Sequence, residues 1–208
     1  MGDAFRSLID RVRAEADPSE YERLVALARR DTPAARDQLA SVLAESERPL
    51  WAREVAAFAL GTAGDPRGFE TLIFMLNYRD PVRCATAAHA LARLRDPRTA
   101  RAAAALATNE LRTGYALHAV RLLTALRAPE SVPTLISVLQ RLLMGPMHYW
   151  PIAEACVQGL GALGDRRAVA VLGAAAEHHR LCPSAKAALA RMPVGHGRSR
   201  ARSVRPRR

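Results

Sequence analysis

A helical pattern that recurs along the chain constrains its fold more than any other feature of the sequence. Each copy is an apolar stretch that ends in Gly or Arg, followed by Asp or Ala and usually by Pro. Aligned on Asp65, Asp96, Ala128 and Asp165, the copies are spaced by 31, 32 and 37 residues, and a fifth, degenerate copy ends at residues 188–192. Periods of this length indicate an array of structural repeats.

Each copy predicts two helices separated by a defined break. Asp accepts hydrogen bonds from the free N–H groups at a helix start, and Pro at the first helical position loses none. Gly61–Gly64 and Gly161–Gly164 are interpreted as helix ends rather than phosphate-binding loops, because Gly readily adopts the left-handed conformation that terminates a helix. Hydrophobic residues make up 50% of the chain but aromatic residues only 5%, and Ala and Leu supply most of the rest. Since both favour helices, we expect an all-α protein.

Two of these copies carry a family resemblance. Residues 59–65 read Ala-Leu-Gly-Thr-Ala-Gly-Asp, and residues 159–165 read Gly-Leu-Gly-Ala-Leu-Gly-Asp. In these runs the chain resembles the HEAT-repeat family, particularly the short bacterial type that is also found in phycobilin-lyase subunits. The resemblance covers about residues 32–192. It implies a right-handed α-solenoid of about five HEAT-like helix pairs, a fold that serves many functions.

The repeat array predicts three parts of the chain. Residues 1–31 contain two amphipathic patterns and are expected to form an N-terminal helical cap, which a solenoid needs because its end repeat lacks a neighbour. Residues 32–192 form the solenoid. Residues 193–208 are rich in Gly, Ser and Arg and contain little to bury, so they are expected to form a disordered basic tail.

The family resemblance implies that the second helix of each pair lines a concave groove. Aligning the second helices gives one column of side chains that would be exposed there, and further positions lie one turn away on either side. The candidate groove residues are Phe58, His89, Arg121 and Gln158 in the column, with Glu54, Glu154 and Arg93 one turn away. They could form a contact surface of mixed charge for a peptide or helix, or they could be ordinary solvated positions.

The 37-residue spacing places extra residues in the turn at residues 144–151. Insertions in repeats map to loops, which often lie on a binding face. The candidate contact residues of this loop are Met147, His148, Tyr149 and Trp150. Met, Tyr and Trp are residue types that anchor protein interfaces. The alternative is that Tyr149 and Trp150 fill the gap that a longer repeat opens between its neighbours.

The net charge of +11 is concentrated at the C-terminus. The tail contains no acidic residue and six arginines, which leaves +5 for residues 1–192. These arginines are Arg198, Arg200, Arg202, Arg205, Arg207 and Arg208. Such a segment would bind the phosphate backbone of a nucleic acid, or another polyanion, with strong salt dependence. The alternative is a tail that only increases solubility.

No set of residues predicts a catalytic centre, a metal site or a cofactor. His178 and Cys182 are four residues apart, beside Glu177 and His179, but neighbouring helical residues diverge by about 100°. Pro183 also interrupts the helix there, whereas a zinc site needs three or four converging ligands. No nucleophile has the sequence context of a known catalytic motif.

The sequence also predicts an intracellular environment. The three cysteines Cys84, Cys156 and Cys182 are widely spaced and are expected to be reduced, mostly buried thiols, which is typical of a cytoplasmic protein. Neither a signal peptide nor a membrane-spanning segment is recognised, so no membrane partner is expected. The oligomeric state is left open.

Three functions are compatible with this pattern. The first is a non-enzymatic protein-binding adaptor or scaffold that presents its groove to a protein or peptide. The second is a nucleic-acid-associated protein that binds phosphates through the tail and basic groove residues. HEAT-like DNA glycosylase activity is not expected, because Glu54 and Glu154 would repel phosphate and the groove lacks an aromatic pair beside an Asp. The third is a lyase or chaperone-like role similar to that of phycobilin-lyase subunits, for which no chromophore-handling residue is identified.

Overall fold

The chain folds into helices joined by short turns. The computed structural model describes residues 2–145 and 147–193, and among these residues there are twelve α-helices, four short 3₁₀ helices and no β-strand. The α-helices are α1 (Asp3–Val12), α2 (Pro18–Arg30), α3 (Pro33–Ala44), α4 (Leu50–Thr62), α5 (Phe69–Leu76), α6 (Pro81–Leu94), α7 (Arg98–Thr108), α8 (Leu117–Leu126), α9 (Ser131–Met144), α10 (Trp150–Leu163), α11 (Val169–Ala176) and α12 (Cys182–Ala190).

The helices from α3 onward pack as five consecutive pairs in two layers. The pairs are α3 with α4, α5 with α6, α7 with α8, α9 with α10, and α11 with α12. The second helices of these pairs also pack against one another in chain order and form a continuous layer. The first helices lie on the other side, where α5, α7, α9 and α11 follow one another. The predicted all-α solenoid of about five helix pairs is confirmed.

The two N-terminal helices take different positions. Helix α2 packs against α3 and lies beside α4, so it extends the layer of second helices by one member. Helix α1 belongs to neither layer, because it packs across α4 and α6, and Tyr21 of α2 donates a hydrogen bond to the carbonyl of Ile9. The predicted cap of residues 1–31 thus contains one helix at the end of the layer and one helix that lies across it.

The Asp residues of the repeats cap the helical segments that follow them. The carboxylates of Asp65, Asp96 and Asp165 each accept a hydrogen bond of 2.9–3.0 Å from the backbone N–H two residues ahead. In each copy that residue is an arginine whose guanidinium also pairs with the same carboxylate, which lowers the pKa of the Asp. The caps predicted from the sequence are confirmed.

A left-handed residue ends the second helix in four of the five copies. Gly64 and Gly164 have φ of +78° and +69°, as expected of helix-ending glycines. At the equivalent positions of the two middle copies, Arg95 and Arg127 adopt φ of +57° and +51°. A side chain in this conformation costs free energy relative to Gly, so the termination of these two helices is maintained by the surrounding repeat rather than by local preference.

The copy that lacks the capping Asp uses another side chain. The hydroxyl of Ser131 accepts a hydrogen bond from the N–H of Ala128 and donates one of 2.6 Å to the carbonyl of Leu123. Ser131 is fully buried. It therefore satisfies backbone groups on both sides of the turn, a role that the repeat alignment at Ala128 did not reveal.

Glycines allow neighbouring second helices to approach closely. A Cβ on Gly161 of α10 would lie 2.7 Å from the Cβ of Ala188 in α12, and a Cβ on Gly61 of α4 would lie 3.1 Å from the Cβ of Ala90 in α6. The first distance is too short for two carbon atoms, so a helix would have to shift, whereas the second would require Ala90 to move by a few tenths of an ångström. The close helix spacing therefore requires the missing side chains.

The same substitution at two glycines should change stability in opposite directions. Gly161→Ala should lower the free energy of unfolding by about 1–3 kcal/mol, because the α10–α12 contact is overpacked. Gly173→Ala, within α11, should raise it by up to about 1 kcal/mol, since a Cβ there meets nothing within 4 Å and Ala favours the helix. Urea denaturation of the two variants measures both effects. Equal stability of the two variants would contradict the packing described here.

Candidate protein-binding groove

The groove face is the exposed side of the second helices α4, α6, α8, α10 and α12. Helix α1 lies on this face, across α4 and α6. Its sequence is strongly amphipathic, and its apolar side chains Phe5, Leu8, Ile9 and Val12 are all buried. An amphipathic helix gains most of its stability by burying such a stripe, so α1 is held in place by this contact.

Three stacked rings join α1 to the face. Phe5 of α1 stacks on Phe58 of α4 with ring centroids 5.8 Å apart, and Phe58 stacks on His89 of α6 at 5.9 Å. Phe5 and Phe58 are almost completely buried, whereas His89 is exposed. The stack therefore ends at the border between the covered part of the face and the open part.

A buried carboxylate forms a second link between α1 and the face. Glu54 of α4 is 1% exposed, and its carboxylate accepts hydrogen bonds from Nη1 and Nη2 of Arg11 in α1. It also accepts a hydrogen bond of 3.2 Å from the Nε of Arg83 in α6. Arg83 in turn reaches Glu15, just beyond α1, at 3.4 Å. A buried carboxylate is stable only when it is paired and hydrogen-bonded, and here two helices, α1 and α6, supply the partners.

The sequence prediction of an open groove at Phe58 and Glu54 is wrong. Both side chains belong to the aligned positions, but α1 covers them, so they contact this chain instead of solvent. The amphipathic pattern of α1 indicated that the helix packs somewhere on the protein. It did not indicate on which face.

Beyond α1 the groove face is open. His89, Arg93, Arg121 and Gln158 are exposed there, as predicted. Neither Arg93 nor Arg121 forms an ion pair with any residue that the structure describes. The open face therefore presents cations that no described side chain neutralises.

The acidic position of the open face is less available. Glu154 is half-buried and accepts hydrogen bonds from Gln158 at 2.8 Å and from Ser184 of α12 at 2.7 Å. The mixed charge predicted for the groove thus divides into exposed arginines and a carboxylate that is already hydrogen-bonded.

Histidines add little positive charge to this face at neutral pH. Burial lowers the pKa of His118 in α8 below its ordinary value, and the nearby Arg121 lowers it further. Burial likewise lowers the pKa of His89, and the nearby Arg93 lowers it further. Both imidazoles are therefore neutral near pH 7, and the arginines carry the charge.

A cavity of about 550 Å³ opens where α1 begins on the face. The side chains of Arg29, Arg93, His89 and Asp31 line it, and Phe58 forms part of its floor. The covered and open parts of the face meet at this cavity.

The predicted binding loop lies at the other end of the second helices. Residues 147–149 form a 3₁₀ turn, and the side chains of His148, Tyr149 and Trp150 are exposed. Tyr149 lies against Gly114, and the Arg180 guanidinium lies 5.8 Å from the centre of the Trp150 ring. The side chain of Met147 lies outside the described residues, as do the six predicted arginines of the tail.

The cysteines differ from one another in burial. Cys84 and Cys156 are buried, and burial raises the pKa of Cys156 to about 12, so this thiol stays protonated. Cys182 is only partly buried, unlike the other two. Within residues 2–145 and 147–193, no three His, Cys, Asp or Glu side chains converge in a way that could hold a metal ion. No helix in this part of the chain is long and apolar enough to cross a membrane.

Comparison with protein families agrees with this architecture. Residues 52–78 and 152–178 each match the family described as PBS lyase HEAT-like repeat. These two segments are similar to HEAT-like repeats. Both matches begin within a second helix, α4 or α10, and extend through the first helix of the next pair, so the HEAT-like unit spans two neighbouring pairs. None of the curated proteins compared with the chain is significantly similar to it in sequence.

Removal of one ring should release α1 from the HEAT-like solenoid. Phe5→Ala deletes the outer member of the stack, and large-to-small changes at buried Phe cost about 3–5 kcal/mol. Since α1 contacts only one face, we expect local detachment rather than global unfolding. Hydrogen exchange should show that the amides of α1 lose protection while those of α8 and α10 keep it.

Arg6→Ala is the matched control, because Arg6 is on the same helix with its side chain 74% exposed. The docking of α1 would be contradicted if its amides exchanged equally slowly in both variants.

Proposed function

We propose that this chain is a non-enzymatic scaffold that binds a protein or peptide on the open part of its groove face. One observation carries the proposal: the same face already binds an amphipathic helix, α1, through an aromatic anchor and a buried ion pair. The layer of second helices continues past α6 through α8, α10 and α12 with no described segment covering it. A helix in a groove is a common mode of peptide recognition.

The side chains of the open face favour an acidic helical segment. Arg93 and Arg121 provide cations, while Ala85, Ala125 and Ala162 are exposed and small. Small side chains let a helix approach closely, and the arginines can pair with carboxylates in bidentate geometry. A partner helix with acidic residues at the arginines and an apolar stripe over the alanines would suit this surface.

The carboxylates of the face support binding rather than catalysis. A general acid or base must reach the reacting group. Glu54 is buried between two arginines, and Glu154 is hydrogen-bonded to Gln158 and Ser184. The family description contains the word lyase, but we propose no lyase activity for this chain. A cytoplasmic location remains part of the proposal from the sequence.

Charge reversal on the open face should weaken the complex. Replacing Arg93 and Arg121 by Glu should reduce recovery of the partner with the tagged, full-length chain at least about tenfold, because buried or close charge pairs become repulsive. The measurement is quantitative affinity purification from the producing cells, with circular dichroism to verify the helical content.

Arg101→Glu with Arg166→Glu gives a control with the same change in charge, since Arg101 is exposed on α7 and Arg166 is exposed in the 3₁₀ helix before α11, away from the groove face. A partner that both variants recover equally well does not bind the groove face. The proposal would be overturned if the charge-reversal variant recovered every partner as well as the unmodified chain does.

The composition of residues 193–208 favours a second candidate function, the binding of a nucleic acid or another polyanion. Replacing all six tail arginines by Gln at constant chain length should abolish a gel shift of duplex DNA at low salt. The unmodified chain should lose the shift as salt rises, because its binding depends on counterion release. An unchanged shift after the six replacements would assign DNA binding to the folded part, and no shift of either protein would reject this function.

A further inference from the structure

Exposed apolar side chains are concentrated on one edge of the solenoid. Seven of the eight large apolar residues that are exposed in the described part of the chain lie at or within three residues of the turns that join first to second helices. These seven residues are Phe74, Val82, Leu111, Tyr115, Met144, Tyr149 and Trp150. We call this surface, together with Tyr78, Arg79, Arg112 and Arg180, the turn ridge.

The turn ridge is continuous across successive repeats. In the first part, the ring of Phe74 lies 5.8 Å from that of Tyr78, and Arg112 donates a hydrogen bond to the carbonyl of Tyr78. Arg112 also lies over the ring of Tyr115, at 5.1 Å from its centre. Residues from two distant turns, 77–80 and 109–116, thus form one surface.

The ridge continues into the next two turns. A Cβ on Gly114 would lie only 3.3 Å from the Cε1 of Tyr149, so the ring of Tyr149 lies directly against this glycine. Trp150 follows, with Arg180 over its ring. The surface therefore spans four consecutive turns, although its members are up to about a hundred residues apart in the chain.

The charge that remains on the ridge is positive. Arg79, Arg112 and Arg180 form no ion pair with any residue in the described ranges. Asp80 lies 3.8 Å from Arg83 and Glu110 lies 3.4 Å from Arg141, whereas Glu177 in the fourth turn is exposed and forms no ion pair with a described residue. The three arginines outnumber this one carboxylate. Three arginines alternating with apolar side chains are therefore left for a partner.

We propose that the turn ridge is a second docking surface, separate from the groove face, for an acidic protein segment that carries apolar side chains. Tyr, Trp, Met and Arg are the residue types enriched at the centres of protein interfaces. Leu111 and Met144 expose 96% and 91% of their surface, and exposed apolar side chains that are grouped on one edge mark a protein interaction site. The three arginines determine that this partner is acidic.

A protein segment fits the ridge better than a single-stranded nucleic acid does. Bases bind by stacking on open aromatic faces, whereas one face of Tyr115 and one face of Trp150 are already covered by arginines. Leu111 and Met144 are aliphatic and gain little from bases or phosphates. Burial against apolar protein side chains removes their surface from water, which stabilises a complex with a protein segment.

The test uses a fluorescent random copolymer of Glu and Tyr as the acidic, apolar probe, and polyglutamate and a thymidine 20-mer as comparison probes. The reference protein is the full chain with its six tail arginines replaced by Gln, which removes their contribution to binding. Fluorescence anisotropy then gives a Kd for each variant. Circular dichroism confirms that each variant is folded.

Two ridge variants test charge and apolar contact separately. Arg79→Glu with Arg112→Glu should weaken copolymer binding at least about tenfold. Leu111→Ser with Met144→Ser should weaken it at least about threefold, and it leaves the core intact because both side chains are exposed. Arg101→Glu with Val169→Ser, away from the ridge, should stay within about twofold. Arg93→Glu with Arg121→Glu should do the same, which separates this surface from the groove face.

Three results would overturn the proposal. The first is that both ridge variants bind the copolymer with a Kd within twofold of that of the control variant. The second is that polyglutamate binds as tightly as the copolymer and that the Leu111→Ser and Met144→Ser variant binds both unchanged. The ridge would then be only a charged surface. The third is tighter binding of the thymidine 20-mer than of the copolymer, with loss in Arg79→Glu and Arg112→Glu, which would assign the ridge to nucleic acid.

Discussion

Stacking of second helices is the contact on which the rest of this structure depends. A helix pair in such an array cannot bury its apolar face alone and must place it against the next pair. Gly61 and Gly161 keep these helices close together: a carbon added to Gly161 would overlap Ala188, and one added to Gly61 would crowd Ala90. The close layer that results positions both candidate surfaces: the groove face along the helices, and the turn ridge at the ends where their preceding turns align.

The docking of α1 divides the groove face into a covered part and an open part. Phe58 and Glu54 hold α1, while the positions equivalent to Phe58 on the next three second helices stay exposed. The same layer can therefore serve two purposes: stabilisation of the first repeats by the chain itself and binding of another protein by the later ones. The ion pairs of Glu54 join α1, α4 and α6, so they couple the position of α1 to the first repeats.

The periodic features of the fold could be predicted from the sequence, because Asp caps and terminating glycines act within a few residues. The alignment predicted the pairing of the helices, the caps at Asp65 and Asp96, and the exposure of Arg121 and Gln158. The position of α1 could not, since its amphipathic pattern has no information on which face it covers. Alignment likewise could not distinguish buried Phe58 from exposed His89, or bring Phe74, Tyr115 and Tyr149 together, because these contacts join segments distant in the chain.

A double-mutant cycle between Arg11 and Glu54 tests most directly whether α1 occupies the groove face. The free energies of unfolding of Arg11→Met, Glu54→Gln, the double variant and the unmodified chain give the coupling energy between the two side chains. A docked α1 predicts a favourable coupling of at least about 1 kcal/mol, as found for close charge pairs. A coupling near zero, with no change of stability in Arg11→Met alone, would contradict the docking of α1.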